Sequence, residues 1–496
     1  MKSSPLTRAI RLATLAAVAA PASVFAGGFS LNEQSASAMG VANAGAVANP
    51  ENATTVLFNP AGMSQLKGTN ISFGAAVLDI KAEAKSASAT NTLGGPVNGG
   101  TGGDIADPAF LPNFYLTHEI NDSIDVGFGF HAPYGLAADY DDDFVGRYFA
   151  DKTELTVISF SPAISVNNGK GLSMGIGLNV MYAEGRLSKF QDVRGGFYQQ
   201  GVANAMQQAG VTDPSLLPAS TLAAISAGAS AQADGYEQAY GTPYADINGD
   251  DIGITFRVGF LYELSDSTQF GLTAQTGTEF NLEGDVEISN FPAPVGQPPT
   301  GLTPVTLTED VRVPLAIPES ITLGARHQLN DTVTLLAGAS YSRWSRFEEL
   351  DIISREGGTG QVSGLTGNEV ITHITEKWKN TWQFNVGSIW QVTPEWALKA
   401  GYAWDESPVD NYLTARIPSS DRHWLTLGGQ WKSVDNGWTV DAAVGTLLFT
   451  DDPKVDEYSY LHAAPDQKDP NAGASNYKGE YELSAWSASL QVSKAF

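Results

Sequence analysis

Few residues in this chain are of a type and spacing that could do chemistry. The chain has no cysteine, and no nucleophile elbow, H-E-x-x-H or P-loop context is predicted. Its six histidines show no metal-ligand spacing: His118, His131, His327, His373, His423 and His462. We therefore expect no catalytic residue, no metal site and no cofactor. What remains are lysines beside apolar residues, Leu187 with Lys189 and the pair Lys377 and Lys379. A partly dehydrated cation beside apolar side chains suits a carboxylate ligand.

The amino terminus predicts export. Residues 1–26 combine Lys2, Arg8 and Arg11 with an apolar run and end in Val24-Phe25-Ala26, which is the pattern of a cleaved signal peptide. Of 496 residues, 28 are Lys or Arg and 54 are Asp or Glu. Without the first 26 the net charge is (28 − 3) − 54 = −29. So acidic a chain does not favour a nucleic-acid partner.

The remaining chain alternates apolar and polar residues. No stretch reaches the roughly 18 to 20 apolar residues of a transmembrane helix. In Leu172, Met174, Ile176, Leu178, Val180 and Tyr182 the even positions are apolar, while Ser173, Gly175, Gly177 and Asn179 lie between them. Strand side chains alternate between two faces, so this pattern predicts one apolar and one polar face. A soluble sandwich or a closed membrane barrel would both show it.

The connections favour the barrel. Six tight polar turns are predicted near residues 121–123, 167–170, 265–267, 330–331, 393–395 and 435–437. Seven longer connections alternate with them, near 85–108, 135–152, 191–251, 286–305, 352–372, 411–418 and 451–478. Thirteen connections join 14 strands, which predicts an all-β, 14-stranded antiparallel transmembrane β-barrel over residues 69–496 with short periplasmic turns and long outer loops.

Aromatic residues fit the same plan. Tryptophans near the strand ends are expected to form the two interfacial girdles: Trp378, Trp390, Trp396, Trp404, Trp424, Trp431 and Trp438. Counting back in twos from Phe496 gives mostly apolar residues. A secreted sandwich needs no terminal aromatic, whereas we expect Phe496 to be read by the barrel-assembly machinery.

Residues 27–68 do not alternate and are small and polar. They could form a disordered tail or a plug. Leu57, Phe58 and Met63 flank Asn59-Pro60-Ala61 as buried anchors would, and disordered tails are poor in such residues. We therefore expect an amino-terminal hatch inside the barrel.

Several segments follow one another in an order and with a spacing that match a known family: Gly28-Phe29-Ser30-Leu31-Asn32-Glu33, Asn59-Pro60-Ala61, Phe160 to Phe190, Trp344-Ser345-Arg346-Phe347, and Asp405-Glu406-Ser407-Pro408-Val409 through Asp421-Arg422-His423-Trp424-Leu425. Through these segments the chain resembles the FadL family of outer-membrane long-chain fatty-acid channels. This resemblance implies capture of a hydrophobic substrate among the outer loops, transfer to a pocket above the hatch, and lateral exit at a kink in strand three. It also implies a hatch and gate at Asn59, Pro60 and Ala61.

Two segments can be set against those expectations. Strand three should contain Gly129, His131, Pro133 and Gly135, and proline and glycines in a strand interrupt its pairing, although Pro133 could instead simply end the strand. The long outer loop, residues 191–251, has apolar residues at helical spacing. They could form a groove for acyl chains or pack on the barrel rim.

Strand parity and the resemblance together predict the ligand-binding residues. If even residues face lipid, Leu187, Lys189, Lys377 and Lys379 face the lumen. The resemblance places Leu187 and Lys189 at an apolar and a basic ligand position, matches Lys377 or Lys379 more loosely, and adds Phe29. The alternative is that these lysines pair with carboxylates such as Glu376 or Asp351.

We expect passive uptake of long-chain fatty acids by a monomer in the bacterial outer membrane. Its further partners would be membrane lipids and lipopolysaccharide, reached by the acidic outer surface through divalent ions. Two alternatives remain at this point: a channel of the same fold for hydrocarbons or monoaromatic compounds, and an open diffusion porin or structural surface barrel.

Overall fold

In the computed structural model, which describes residues 28–295, 301–460 and 475–496, strands dominate the chain after residue 68. The predicted signal peptide, residues 1–26, lies outside the described residues. Nineteen strand segments are present: β1 Thr69–Thr90, β2 Ala109–Asn121, β3 Ile124–Asp139, β4 Lys152–Asn167, β5 Leu172–Phe190, β6 Tyr244–Ser265, β7 Thr268–Gln275, β8 Thr278–Val295, β9 Gly301–Ile317, β10 Ser320–Gln328, β11 Val333–Ser342, β12 Glu349–Ser354, β13 Val370–Thr375, β14 Thr381–Gln391, β15 Trp396–Asp405, β16 Arg422–Lys432, β17 Trp438–Phe449, β18 Lys454–Tyr458 and β19 Asn476–Ala495.

The segments form one closed antiparallel ring. When segments that continue one another are counted as one strand, each strand pairs with its neighbours in sequence. The first and last strands close the ring, because β1 pairs with β19 along 20 residue pairs from Asn70↔Ala495 to Thr90↔Asn476. Five segments continue the strand before them after a short interruption, namely β8, β10, β12, β14 and β18. The ring is therefore the predicted 14-stranded all-β barrel, and all six short turns lie where the sequence predicts them.

Strand alternation separates the two surfaces of the ring. Ile176 and Leu490 are half exposed on the outer surface. On the inner surface Asn179 donates to Thr255 Oγ1 at 3.0 Å and accepts from Ser161 at 2.8 Å. Small and polar inner residues satisfy one another by hydrogen bonds, while apolar residues face outward. Among the described residues no helix is long and apolar enough to span a membrane.

Two expectations about the rim are wrong. Trp378 and Trp424 do not belong to an exposed girdle, because both are almost fully buried. The predicted connection at 286–305 is largely strand, because β8 and β9 pair from Thr278↔Ile317 out to Val295↔Gly301. The strand pairing of β8 and β9 continues beyond the predicted loop boundary, so these two strands extend further from the barrel than expected.

The connection between β5 and β6 contains the longest helices. They are α3 Arg194–Ala209 and α4 Ala219–Tyr240, with a 3-10 turn at Pro214–Leu216 between them. A further 3-10 turn lies at Trp344–Arg346.

Residues 28–68, here called the amino-terminal segment, fold into short helical turns. These are α1 Ala36–Met39, α2 Thr55–Phe58 and 3-10 turns at Ala46–Ala48 and Pro60–Gln65. Hydrogen bonds join the segment to strands on different sides of the ring: Ser35 donates to Gln491 in β19, Asn59 to the Phe260 carbonyl in β6, and Lys399 in β15 donates to the Ser37 carbonyl. The buried Leu57 and Met63 anchor it as the sequence indicates.

Candidate functional site

The barrel wall contains a lateral window between β2 and β3. The two strands pair from Asn121↔Ile124 only as far as Phe114↔Phe130. Beyond that point residues 109–113 of β2 still pair with β1 but not with β3. The window is bounded at its far end by Ile105, which donates its N–H to the Ala82 carbonyl at 3.0 Å and accepts from Asp139 N–H at 2.9 Å.

The residues predicted to kink strand three lie at this window. β3 continues past Pro133 to Asp139, so the alternative in which Pro133 ends the strand is not what the structure has. Its register with β4 shifts between His131 and Tyr134, around Pro133. Proline has no N–H to give to a neighbouring strand, and this is where the pairing with β2 is already absent. Gly129 lies at the last paired residues, His131 is buried, and Gly135 lies beyond the shift.

The amino-terminal segment takes the place of β2 inside the window. Leu31 donates its N–H to the Pro133 carbonyl at 3.0 Å, and Gly135 donates to the Phe29 carbonyl at 2.9 Å. Gln34 also donates its side-chain amide to the Ala132 carbonyl. Exposed strand edges readily pair with an extended segment. The edge that the kink opens is therefore satisfied by residues 29–34.

Phe29 belongs to a buried aromatic cluster. Its ring centroid lies 4.7 Å from that of Trp344 and 5.7 Å from that of Trp378, and Trp378 lies 4.7 Å from Phe347. Edge-to-face packing of this kind adds stability beyond area burial. Trp344 lies in the 3-10 turn Trp344–Arg346, and Phe347 directly follows that turn.

An apolar cavity of about 50 Å³ lies against this cluster. It is lined by Phe29, Leu136, Leu187, Leu282, Phe347 and Leu350, among others. The structure thus brings together two of the predicted ligand residues, Phe29 and Leu187. A second, more polar cavity of about 240 Å³ is lined by Ser30, Leu31, His131, Pro133 and Arg257, among others. The extended residues 29–31 lie between the two cavities, with Phe29 lining one and Ser30 and Leu31 the other.

Two cations line the apolar cavity, Arg186 and Arg416, and Arg186 pairs with Asp246 at 2.7 Å. Sequence reasoning missed Arg416. Its guanidinium donates to the carbonyl oxygens of Lys152 and Ser188 and to Thr153 Oγ1, at 2.9 to 3.1 Å. Within the described part of the chain it forms no ion pair, and its Nε is buried without a partner. Burial lowers the pKa of Arg416 from its usual value. An unpaired buried charge is costly, which prepares this position for an anion.

Three acids lie within electrostatic reach of Arg416. They are Glu457, which accepts the Ala415 N–H at 2.8 Å, Asp151, which accepts from Ser188 Oγ at 2.8 Å, and Glu376, which accepts from Trp378 Nε1 at 2.7 Å. Burial raises the pKa of Glu376 to about 8, and its Oε1 has no partner among the described residues. At neutral pH Glu376 is therefore largely uncharged and does not neutralise Arg416.

The predicted lysines occupy three different environments. Lys189, in β5 opposite Ala245, forms no ion pair with any described residue, and Arg416 and Glu457 are the charges that act on it. Lys379 pairs with Glu406 at 3.0 Å, and Lys377 is exposed with its ammonium 4.7 Å from the Tyr412 ring centroid. Lys377 and Lys379 lie in the interruption between β13 and β14, where strand alternation does not apply. Asp351 pairs instead with His373, and Glu376 accepts from Trp378.

Asn59, Pro60 and Ala61 are held at the opposite side of the amino-terminal segment. Asn59 Nδ2 donates to the carbonyls of Val47 and Phe260 at 2.7 and 2.9 Å, and its Oδ1 accepts from Ala61 N–H. The triplet fits against β5 and β6 because Gly175 and Gly259, which pair with each other, have no side chain. A Cβ at position 175 would lie 2.4 Å from Ala61 N, and one at 259 would lie 2.0 Å from Asn59 Oδ1.

The two helices of the long connection enclose a groove. A cavity of about 440 Å³ is lined by Tyr198, Val202, Met206, Pro214 and Leu222, among others. Arg194, at the start of α3, forms salt bridges with Asp192 and with Asp234 and Glu237 of α4, and so joins the two helices. The apolar residues at helical spacing thus form a groove between α3 and α4.

The letters of a nucleophile elbow do occur, at Gly171-Leu172-Ser173-Met174-Gly175. Ser173 is nevertheless the second residue of β5, which continues as strand to Phe190, and Ser64 donates to its Oγ at 2.7 Å. An elbow needs a sharp strand-to-helix turn, which this segment does not have.

Known proteins share both sequence and fold with this chain. Residues 16–496 match the model of the family described as outer membrane protein transport protein (OMPP1/FadL/TodX). A long-chain fatty acid transport protein of Escherichia coli K12 is 25% identical over 481 residues, covering 95% of this chain and 94% of the relative. The crystal structure of a Pseudomonas aeruginosa FadL homologue has a TM-score of 0.75 at 22% identity, covering 95% of this chain and 100% of that chain. That of the Pseudomonas putida toluene transporter TodX has a TM-score of 0.61 at 17% identity, covering 94% and 99%.

Proposed function

Because the chain belongs to the outer membrane protein transport protein family (OMPP1/FadL/TodX), an outer-membrane family that transports hydrophobic compounds, we propose that its substrates are long-chain fatty acids. The observation that carries this choice is Arg416. A buried guanidinium with no ion pair among the described residues lines an apolar cavity with Phe29 and Leu187. A hydrocarbon gains nothing from such a cation, whereas a carboxylate forms a charge-assisted contact with it.

The proposed ligand pose follows from the lining of the cavity. The acyl chain packs on Phe29, Leu187 and Leu350, and the carboxylate lies near Arg416 with Lys189 as the second cation. The apolar cavity of about 50 Å³ is small for a long acyl chain, so the ligand must displace part of the wall. The element best placed to move is the amino-terminal segment, because Phe29 is part of that wall.

We propose that the amino-terminal segment is a hatch that the ligand opens. Displacing Phe29 pulls on the two backbone hydrogen bonds that residues 29–31 make with Pro133 and Gly135. Losing them would uncover the window and join the apolar cavity to the polar one. The substrate would then leave sideways between β2 and β3, so its apolar tail reaches the lipid without crossing the periplasmic end of the lumen. The groove between α3 and α4 would be the first site of capture.

Uptake by cells that lack their own fatty-acid channel tests the substrate. Labelled oleate, hexadecane and toluene are offered to cells with the wild-type protein, Arg416→Met or Arg355→Met. Arg355 is the matched control, because it pairs with Glu283 at 3.0 Å on a half-exposed outer segment and lines neither cavity. We expect oleate uptake that falls at least tenfold in Arg416→Met and is unchanged in Arg355→Met. If cells with Arg416→Met took up oleate at the wild-type rate, the proposal would be contradicted.

The second candidate is uptake of hydrocarbons or monoaromatic compounds. It is favoured by the almost wholly apolar lining of the smaller cavity and by the shared fold of a toluene transporter. Its signature in the same experiment is entry of toluene or hexadecane, but not oleate, at a rate that Arg416→Met leaves unchanged.

A further inference from the structure

A cluster of metal-ligating side chains lies on β12 and β13, outside the site described above. Asp351 pairs directly with His373 across the two strands, and Glu349 lies two residues before Asp351 on the same face. One ligand atom from each of Glu349, Asp351 and His373 lies within 4.8 Å of the others. Oxygen and nitrogen ligands at about 2.0–2.2 Å from a tetrahedral Zn²⁺ ion are about 3.4 Å apart, so the more widely separated ligand atoms must move closer by side-chain rotation when an ion binds.

The hydrogen-bond partners of His373 are compatible with a cation between its ring and the carboxylates. Its Nε2 lies 3.0 Å from Thr375 Oγ1, and its Nδ1 lies 2.6 Å from Asp351 Oδ1 and 4.0 Å from a Glu349 oxygen. Metal-ligating histidines characteristically donate the second ring N–H to an oxygen acceptor, which turns the lone pair of the other nitrogen toward the metal. When Nε2–H donates to Thr375, the Nδ1 lone pair faces two carboxylates. Only a proton or a metal ion between them makes that arrangement favourable.

The surroundings are compatible with an entering ion. Asp351 is buried, while Glu349 is exposed, so one ligand faces solvent and the others lie beneath it. Tyr460 covers the histidine, with ring centroids 5.9 Å apart. Two carboxylates and one imidazole suit a borderline ion such as Zn²⁺, whereas a site of oxygens alone would suit Ca²⁺ or Mg²⁺.

We propose that Glu349, Asp351 and His373 form a Zn²⁺-class divalent-metal site at the ends of β12 and β13 that lie away from the connection 355–369. The sequence alone does not reveal this site, because Asp351 and His373 are 22 residues apart and come together only through the pairing of β12 with β13. The site does not depend on which compound is transported.

The site has a mechanical consequence for the apolar cavity. Leu350, between the two acids in sequence, points to the opposite face and lines that cavity. It pairs with Ile374, the neighbour of His373. An ion that joins β12 to β13 therefore fixes a wall of the cavity from behind.

Zinc titration of the full-length, EDTA-treated protein in detergent tests the proposal. We expect one Zn²⁺ per chain, bound at least tenfold more weakly by His373→Gln and by Asp351→Asn. His423→Gln is the matched control, since His423 bonds to Tyr402 OH at 2.8 Å and has no carboxylate on that nitrogen. Zn²⁺ affinity should also fall below about pH 6.5, where protons compete for imidazole, whereas Ca²⁺ should bind weakly at every pH.

Equal zinc affinity in wild type, His373→Gln and Asp351→Asn would overturn the site and leave a protonated or neutral His373 paired with Asp351. Should either variant fail to keep the heat-modifiable gel mobility of a folded barrel, X-ray absorption of the zinc-loaded wild type decides. A first shell of mixed nitrogen and oxygen with one imidazole supports the site, and a shell without imidazole refutes it.

Discussion

Gly135 donates its backbone N–H to the carbonyl oxygen of Phe29, at a distance of 2.9 Å. One residue belongs to the kinked strand and the other to the amino-terminal segment, and Phe29 also lines the apolar cavity. This single backbone contact therefore links the apolar cavity to the window between β2 and β3. Coupling needs such a shared element, whose position both sites can bias.

Removing the donor of the neighbouring hydrogen bond, from Leu31 N–H to the Pro133 carbonyl, should open the window. Leu31→Pro abolishes the N–H that bonds to the Pro133 carbonyl, while the residue stays apolar. A net loss of about 1 kcal/mol per hydrogen bond is expected, which raises the population of the open state about fivefold. Single-channel recording in planar bilayers should show more frequent ion-conducting openings. Leu31→Ala keeps the N–H and is the control. Equal conductance in the two variants would show that this hydrogen bond does not hold the window closed.

A buried ion cluster should hold the amino-terminal segment in place. The Lys399 ammonium, 1% exposed, lies 2.6 Å from Glu51 and 3.1 Å from Asp441. Lys399→Met leaves two carboxylates without their cation, which costs about 3 kcal/mol or more. Hydrogen exchange across residues 36–52 should accelerate in this variant.

The control for that variant is an exposed pair of similar geometry. Lys67 lies 2.8 Å from Glu119 but is 70% exposed, so Lys67→Met should change exchange by little. Acceleration of the same size in both variants would mean that loss of positive charge, rather than loss of the buried contact, loosens the segment.

The barrel could be predicted from the sequence because the patterns that indicate strands and turns involve residues close together in the chain. The alternation from Leu172 to Tyr182 and polar turns such as the one at residues 435–437 each depend on adjacent residues, and the turns occur as predicted. The closing pair of β1 and β19 follows once the strand count is even. Proline and glycines likewise indicated the interruption at Pro133 from a few residues.

The site was harder because its residues meet through tertiary register. Arg416 lies in no strand, and nothing near it in sequence reveals that it reaches Ser188 and the cavity beside Leu187. Strand parity was extended to Lys377 and Lys379 across an interruption that the sequence does not mark, where Lys377 has a positive φ of 42°. Burial of Trp378 against Phe29 is also set by a contact between distant segments.

Ligand affinity should depend on pH through Glu376. Burial holds the pKa of Glu376 at about 8, above the value of about 4.5 in an unfolded chain. The folded state therefore prefers the protonated acid, and this group lowers the free energy of unfolding as pH rises from about 4.5 to 8. Above pH 8 the carboxylate is charged and competes with a fatty-acid carboxylate for Arg416.

The measurement is oleate affinity at pH 6.5 and pH 9 for the wild type and Glu376→Gln. We expect the wild type to lose several-fold more affinity than the variant over this range. Titration of the ligand itself affects both proteins alike, so the difference reports on position 376. Parallel losses would show that ionisation of Glu376 does not reach the ligand.

The groove between α3 and α4 should govern capture rather than final binding. Met206 and Val202 line it, and neither lines the apolar cavity. Met206→Glu places a charge in an apolar groove, where it repels a fatty-acid carboxylate and is poorly solvated. Uptake at low oleate concentration should fall several-fold, while uptake at saturating oleate changes little. Gln207→Glu adds the same charge one residue away, at an exposed position that does not line the groove, and should have a much smaller effect. A fall in the saturated rate of Met206→Glu would instead place this groove after the capture step.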